Sequence, residues 1–422
     1  MIKRSFSVIC SLLCISLLGG TTINYASALF NTKEDVSENV AYDIEMWKDE
    51  DNNVDYPITE DSKEWATFEA HNEMIAACNV PEDLLKDMKT EELVNLMLDY
   101  PLLGDLKLYD DLNSGFNIMA QNSNVLKELL KREDGASKLL DAYCNHELMK
   151  ETNKIDEMLE ISKESSTACI DIINNKKYNS VVDEMQDSIT ENVFLETALA
   201  QKNIIEDLDC QEKDELAEEA IKKMEDKANS EIYAEVATTI YDVAKENDCA
   251  DKLGDVVVET NQHEDSVKAN SDHLTVKTPK GTHVIVYAYA YYGEANRIAD
   301  TNYVKKNYPN ATIKGPATNQ YNCHSYAWYK QSTANKYWMN NPWAYYHDGS
   351  YTFTGTAKTG ERIVYFDHSA AEKDVVPMAI HSGIIYSVSG NTVKVKSKWG
   401  CAPLVIHKKN YSPYGGICNY YK

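Results

Sequence analysis

Beyond its first 28 residues the chain has no apolar run approaching the ~18 residues that a membrane-spanning helix needs, so no stable span is expected. It has no C-x-x-C pair and no dense cysteine framework, so neither a zinc ribbon nor a disulfide scaffold is expected, and no metal or other cofactor. A glycine-rich phosphate loop is absent, as is any repeat of fixed period, which argues against nucleotide handling and against a solenoid. Positive charge is scarce in the front of the chain. Residues 276–422 hold 17 Lys+Arg and 7 Asp+Glu, a net +10, which leaves −35 for residues 1–275. A basic surface confined to the back suits an anionic polymer or an acidic protein, and nothing favours nucleic acid.

The start of the chain carries Lys3 and Arg4, an apolar stretch over 8–18 and Ala26-Ser27-Ala28, the pattern of a secretory leader over residues 1–28. A secreted, extracellular protein is expected, in the cell wall or free of it. Residues 29–60 are polar and acidic and read as a flexible entry segment. From 61 to 254 the apolar residues recur at helical spacing. Pro81-Glu82-Asp83 opens one helix, Leu93, Leu96 and Met97 lie on another that stops before Pro101, and further amphipathic stretches cover 125–130, 139–143, 151–175, 181–209 and 215–247. An acidic all-α domain results. A polar linker over 255–275 then leads to a region of strands and aromatics, with 19 of the 28 tyrosines beyond residue 275. There the pattern predicts a strand over 283–289, a helix over 296–308 and an α+β domain spanning 276–422. With Cys323 kept as a thiol, the other seven cysteines beyond the leader cannot all pair; Cys401 with Cys418 is the pair to examine.

Chemistry concentrates in two segments, Asn322-Cys323-His324-Ser325-Tyr326 and, 58 residues from Cys323, His381-Ser382-Gly383-Ile384-Ile385. A cysteine attacks as thiolate, and a helix start with a nearby imidazole lowers its pKa. Asn322 is a good N-cap for such a helix. Gly360-Glu361 turns into an apolar strand, His381 starts the next, and Ser389-Gly390-Asn391 folds it back onto residues 392–399. With a two-residue turn His381 pairs with Gly400 and shares a face with Lys396 and Lys398; a shift of one residue puts Ser397 there instead.

This succession resembles the NlpC-type superfamily of papain-like cysteine peptidases, including the CHAP amidases, over about residues 276–422 and not over the helical part. The resemblance implies a helix carrying Cys323 packed on an antiparallel sheet carrying His381, and cleavage of amide bonds in bacterial cell-wall peptides. It gives Cys323 the role of nucleophile and His381 that of general base, while Asn322 stands where the family commonly has aspartate. The departure lies in the third group, which orients the imidazole. Ser397 is preferred for it, because Val393 and Val395 should face the core with Ile385, and because a charged lysine cannot accept the imidazole N–H; His407 is a rival orienter or a substrate contact. His324 should point about 100° from Cys323 and line the pocket or pack. Trp399, with Trp328, Trp338 and Trp343, fits either a substrate groove or an aromatic core.

The expectation is a secreted cysteine hydrolase acting on peptidoglycan peptides, with the acidic helical domain docked on the basic catalytic one until displaced. Two rivals keep part of this. A thiol acyltransferase or toxin would pass the acyl group to an amine of a protein, and a wall-binding protein would retain a decayed domain of the same shape.

Overall fold

The computed structural model describes residues 44–49, 53–146, 187, 190–226, 274–366, 379–415 and 417–422. The leader, the linker up to residue 273 and the stretches 151–175 and 227–247 lie outside the described residues. Residues 40–422 form one compact unit.

Helices dominate the front. They run over His71–Ala77 (α1), Glu82–Asp87 (α2), Thr90–Leu98 (α3), Leu112–Asn122 (α4), Asn124–Leu129 (α5) and Gly135–Asn145 (α6), continue through helical residues 190–199, and end with Lys202–Asp207 (α7) and Cys210–Asp226 (α8). Their starts follow local chemistry. Asp111 caps α4 by accepting from the Ser114 N–H at 2.8 Å, Ser123 caps α5 through the Leu126 N–H at 3.2 Å, and Pro81 immediately precedes α2. Between α3 and α4 the chain makes a 3₁₀ stretch, Leu103–Leu108, followed by Tyr109, Asp110 and Asp111.

The back holds a hairpin of Leu274–Lys277 (β1) and His283–Val286 (β2), then helix Glu294–Asn307 (α9), strand Thr312–Gly315 (β3) and the short helix Trp343–His347 (α10). Strands Arg362–Phe366 (β4), Ala379–Ser389 (β5), Thr392–Lys398 (β6), Leu404–Lys408 (β7) and Ile417–Tyr421 (β8) join β3 in a six-stranded antiparallel sheet of order β3-β7-β6-β5-β4-β8. The fold is therefore mixed, helices followed by an α+β region. Cys401 and Cys418 are both thiols, which corrects the pairing considered above. Cys401 lies in the turn between β6 and β7, whereas Cys418 sits on edge strand β8. With strands about 4.8 Å apart, the intervening strands put the two beyond disulfide reach. Cys210 is disulfide-bonded.

Successive strand residues face opposite sides, so the sheet carries two cores. Ile363, Tyr365, Ile385, Val395 and Val405 belong to one large core that also contains Trp65, Leu93, Leu106, Phe116 and Tyr143 of the helical region. Val364, Phe366, Ile384 and Leu404 face the other way, onto Tyr321, Tyr326 and Trp328. The two regions expected as separate domains thus share one apolar interior. Polar contacts reinforce it: Trp65 Nε1 donates to the Asn307 carbonyl at 2.8 Å, and Asp105 accepts from Tyr303 and Tyr308.

One close approach depends on glycine. Gly400 has φ +44, and a Cβ there would lie 2.7 Å from the Leu108 carbonyl oxygen and 2.9 Å from that of Lys107. Gly400→Ala is expected to cost about 2 kcal/mol or more, since neither the left-handed backbone nor the facing carbonyls tolerate the methyl. A urea midpoint equal to that of the unmodified chain would refute this contact.

Candidate functional site

Cys323 opens a single helical turn that continues as the π-helical Ser325–Tyr329, and Asn322 Oδ1 accepts from the Ser325 N–H at 3.1 Å. The same Oδ1 accepts from the Met339 N–H at 3.1 Å, while Asn322 Nδ2 donates to the Met339 carbonyl at 2.8 Å. The asparagine side chain is thereby fixed as a rigid cap beside the thiol. The helical turn packs on the smaller core face of the sheet, where Ser382 Oγ accepts from Trp328 Nε1 at 2.9 Å and meets His324 Nδ1 at 2.8 Å.

The residue that sequence reading missed is Asp110, 213 positions before Cys323. Its carboxylate oxygens lie 3.8 Å and 3.6 Å from Cys323 Sγ, accept from Asn322 Nδ2 at 2.9 Å and approach His324 Nε2 at 3.3 Å. Asp110, Cys323 and His324 each present one ligand atom within 4.8 Å of the others, donor types that divalent cations take. Nothing in the spacing or composition near residue 110 signals this role.

Electrostatics run opposite to an exposed, activated thiol. Burial pushes the Cys323 pKa well up and the Asp110 carboxylate adds to it, while backbone hydrogen bonds from Ser382 and His324 pull it down. The thiol is therefore held protonated, although it begins a helical turn. Burial also pushes the Asp110 carboxyl up to about 7, against the pull of the Asn322 amide. A raised carboxyl pKa means the folded chain keeps a proton that the unfolded chain has lost. Asp110 therefore imposes no penalty at acid pH, and its penalty grows as pH rises through the interval from its ordinary value 3.8 to about 7. Asp110→Asn is expected to raise the urea midpoint relative to the unmodified chain at about pH 8 and to change it little at about pH 4, by a few kcal/mol in total at ~1.4 kcal/mol per pKa unit. His324 and His381, whose pKa values burial lowers, bring an opposite trend below about pH 6.5 common to both proteins. An equal shift at both pH values would rule the assignment out.

His381 is fully buried, and among the described residues neither ring nitrogen has a hydrogen-bond partner. Its ring stacks on Tyr414 at 3.5 Å, with planes 3° apart, and lies 5.5 Å from the Tyr365 ring. Tyr365 is its direct cross-strand partner, and Ser382, the next residue, faces the Cys323 turn. His381 thus faces the larger core, and no hydrogen bond joins it to Cys323. The chain positions of the two remain close, because the Ser382 backbone supplies a hydrogen bond to the sulfur.

Ser397, Trp399 and His407 gather on the His381 side. The β5–β6 pairing runs Ser389↔Thr392 to Ser387↔Lys394, then shifts by one residue to Ile385↔Val395, and this bulge turns Ser397 to the face of Gly383 and His381. Ser397 Oγ meets His407 Nε2 at 2.9 Å and accepts from Trp399 Nε1 at 3.2 Å, so it serves His407 and not His381. Trp399 is wholly buried, 4.8 Å from the Tyr308 ring and 5.1 Å from His407. Burial lowers the His407 pKa to about 4, leaving the ring neutral. Lys398, also buried, donates to the Thr318 carbonyl at 2.9 Å and to that of Gly400 at 2.6 Å, and burial brings its pKa down to about 8. Of the six partners expected around Cys323, the structure brings Asn322 and His324 into contact with it or its carboxylate neighbour. The other four, His381, Ser397, Trp399 and His407, form a second polar cluster under the neighbouring sheet face.

Comparison of the chain with protein-family models, with curated proteins and with solved structures finds no match.

Proposed function

We propose that the protein is a secreted cysteine hydrolase of papain-like type, which cleaves amide bonds of cell-wall peptides through Cys323 and is held closed in this structure. The observation that carries the reading is the placement of Cys323 at a helix start rigidly capped by Asn322, with a strand backbone donor on its sulfur. Such a setting lowers a thiol pKa once burial and the facing carboxylate are relieved. His381 is the proton acceptor in this reading. A general base needs an unengaged lone pair, which both His381 nitrogens offer among the described residues; His324 Nε2 gains one only when Asp110 withdraws, while its Nδ1 stays with Ser382.

In this reading opening also brings the His381 ring from its stack on Tyr414 to the sulfur, where it takes the thiol proton, and the thiolate attacks the scissile carbonyl carbon. The C–N bond breaks, the leaving amine receives the proton, and a thioester remains. Water, deprotonated by the same imidazole, then attacks the thioester and releases the acid and the thiol. The net positive charge of residues 276–422 favours an anionic wall polymer. Mass spectrometry of soluble products from purified peptidoglycan, incubated with the full chain, tests the reading. New peptide fragments identify the bond; their absence from both the closed chain and a variant with an accessible Cys323 would leave the wall-binding rival.

A further inference from the structure

The segment Lys107–Asp110 is attached to the back half of the chain at each residue. Lys107 Nζ lies 3.6 Å from Asp300 Oδ1, and the Leu108 carbonyl accepts from Tyr414 OH, the ring that stacks on His381. Tyr109 OH donates to the Pro413 carbonyl at 2.6 Å, and Asp110 reaches Asn322, Cys323 and His324. Only the missing side chain of Gly400 lets the segment lie so close to the sheet end. The carboxyl group at its tip meets the sulfur through both oxygens, at 3.8 Å and 3.6 Å, and one of those oxygens sits on the Asn322 amide at 2.9 Å.

We propose that this segment fills the substrate cleft and that Asp110 is a built-in product analogue: its carboxyl group occupies the acyl position on Cys323, and Asn322 Nδ2 is the donor that receives the acyl oxygen. This deepens the hydrolase reading and rests on it. The acid released by amide hydrolysis is a carboxyl group, planar, with two oxygens and a carbon that has just left sulfur. Asp110 presents that group to the thiol. The Asn322 distance falls in the 2.7–3.1 Å range required of an oxyanion donor, and the amide cannot rotate because its other contacts fix it. The cleft therefore takes a peptide acyl group approaching past Gly400 and Tyr414, and the helical region inhibits by supplying one of its own. Withdrawal of residues 107–110 would free the sulfur, the Asn322 amide and the Tyr414 cover together.

The experiment measures alkylation of the full chain by iodoacetamide near neutral pH, mapped by mass spectrometry on Cys323 and on Cys78, a buried thiol of the helical core. Asp110→Ala is expected to speed Cys323 alkylation by about tenfold or more, because the carboxyl group no longer covers the sulfur, with Cys78 unchanged. Sodium formate should fill the vacated seat and return the variant to the unmodified rate, without affecting the unmodified chain. Unchanged Cys323 reactivity, or no protection by formate, overturns the proposal. If Cys78 accelerates in Asp110→Ala, that variant has loosened, and Asp110→Ser, which vacates the acyl seat but keeps a small polar side chain, decides: Cys323 alone must accelerate, or the proposal fails. Peptide release from peptidoglycan is scored separately. Selective alkylation without release by any form keeps the carboxyl seat and removes the hydrolase; release by the unmodified chain with no response to Asp110→Ala keeps the hydrolase and removes the seat.

Discussion

Full-length protein carrying Cys323→Ala is expected to release no peptide from peptidoglycan, a loss of at least about a thousandfold, because no other group at the site can form the acyl intermediate. The comparison is best made in the Asp110→Ala background, where the site is open. The fold should survive, since the substitution removes one sulfur atom from a residue whose backbone geometry is set by Asn322 and Ser325. Wall binding is expected to persist while hydrolysis disappears. If both variants release the same fragments, Cys323 is not the nucleophile. A product carrying an added amine in place of water would instead identify a transferase, with the same cysteine in the same role.

Asp105→Ala should destabilise the whole chain by about 3–5 kcal/mol, the cost typical of removing one member of a buried charged network. The Asp105 carboxylate receives Tyr303 OH at 2.8 Å and Tyr308 OH at 2.6 Å, and lies 2.8 Å from His71 Nε2. Loss of its side chain strands three polar groups at once, two buried and one half-buried, one on α1 and two on or beside α9, and leaves a void among packed rings. Because the network joins the helical region to the sheet region within one core, far-ultraviolet and tyrosine signals should shift together in urea. Asp105→Asn, which keeps an acceptor oxygen, should recover part of the loss. Two separated transitions, or a change below about 1 kcal/mol, would contradict the shared-core account.

Several features were legible before any coordinates. The apolar runs within 362–366 and 381–388, bounded by turn residues and with Gly390-Asn391 between the later strands, predicted β4, β5 and the β5–β6 hairpin, because short apolar runs between turns make buried strands. Pro81 with two acids behind it marked α2, and Asn322 marked the cap of the Cys323 turn, because these residues supply or replace local hydrogen bonds. The side on which Ser397 falls was legible only through Val393 and Val395, which were expected to face the core with Ile385 and do. It depends on a bulge between Ile385 and Ser387 that moves the register by one, and the hairpin turn alone admits both settings. The absence of a bond between Cys323 and His381 was hidden, since the face each occupies is a property of the sheet and not of the motif.

Local chemistry, then, was determined by the sequence: which residues cap, alternate, turn and carry a thiol or imidazole, each fixed by interactions spanning a few positions. Tertiary structure alone decided that the helical and sheet regions share a core, that Tyr414 covers His381, and that Asp110 meets Cys323 across 213 residues. Those contacts come from packing two distant surfaces together, and the free energy of that packing is spread over dozens of side chains, so no short stretch of sequence carries its signature.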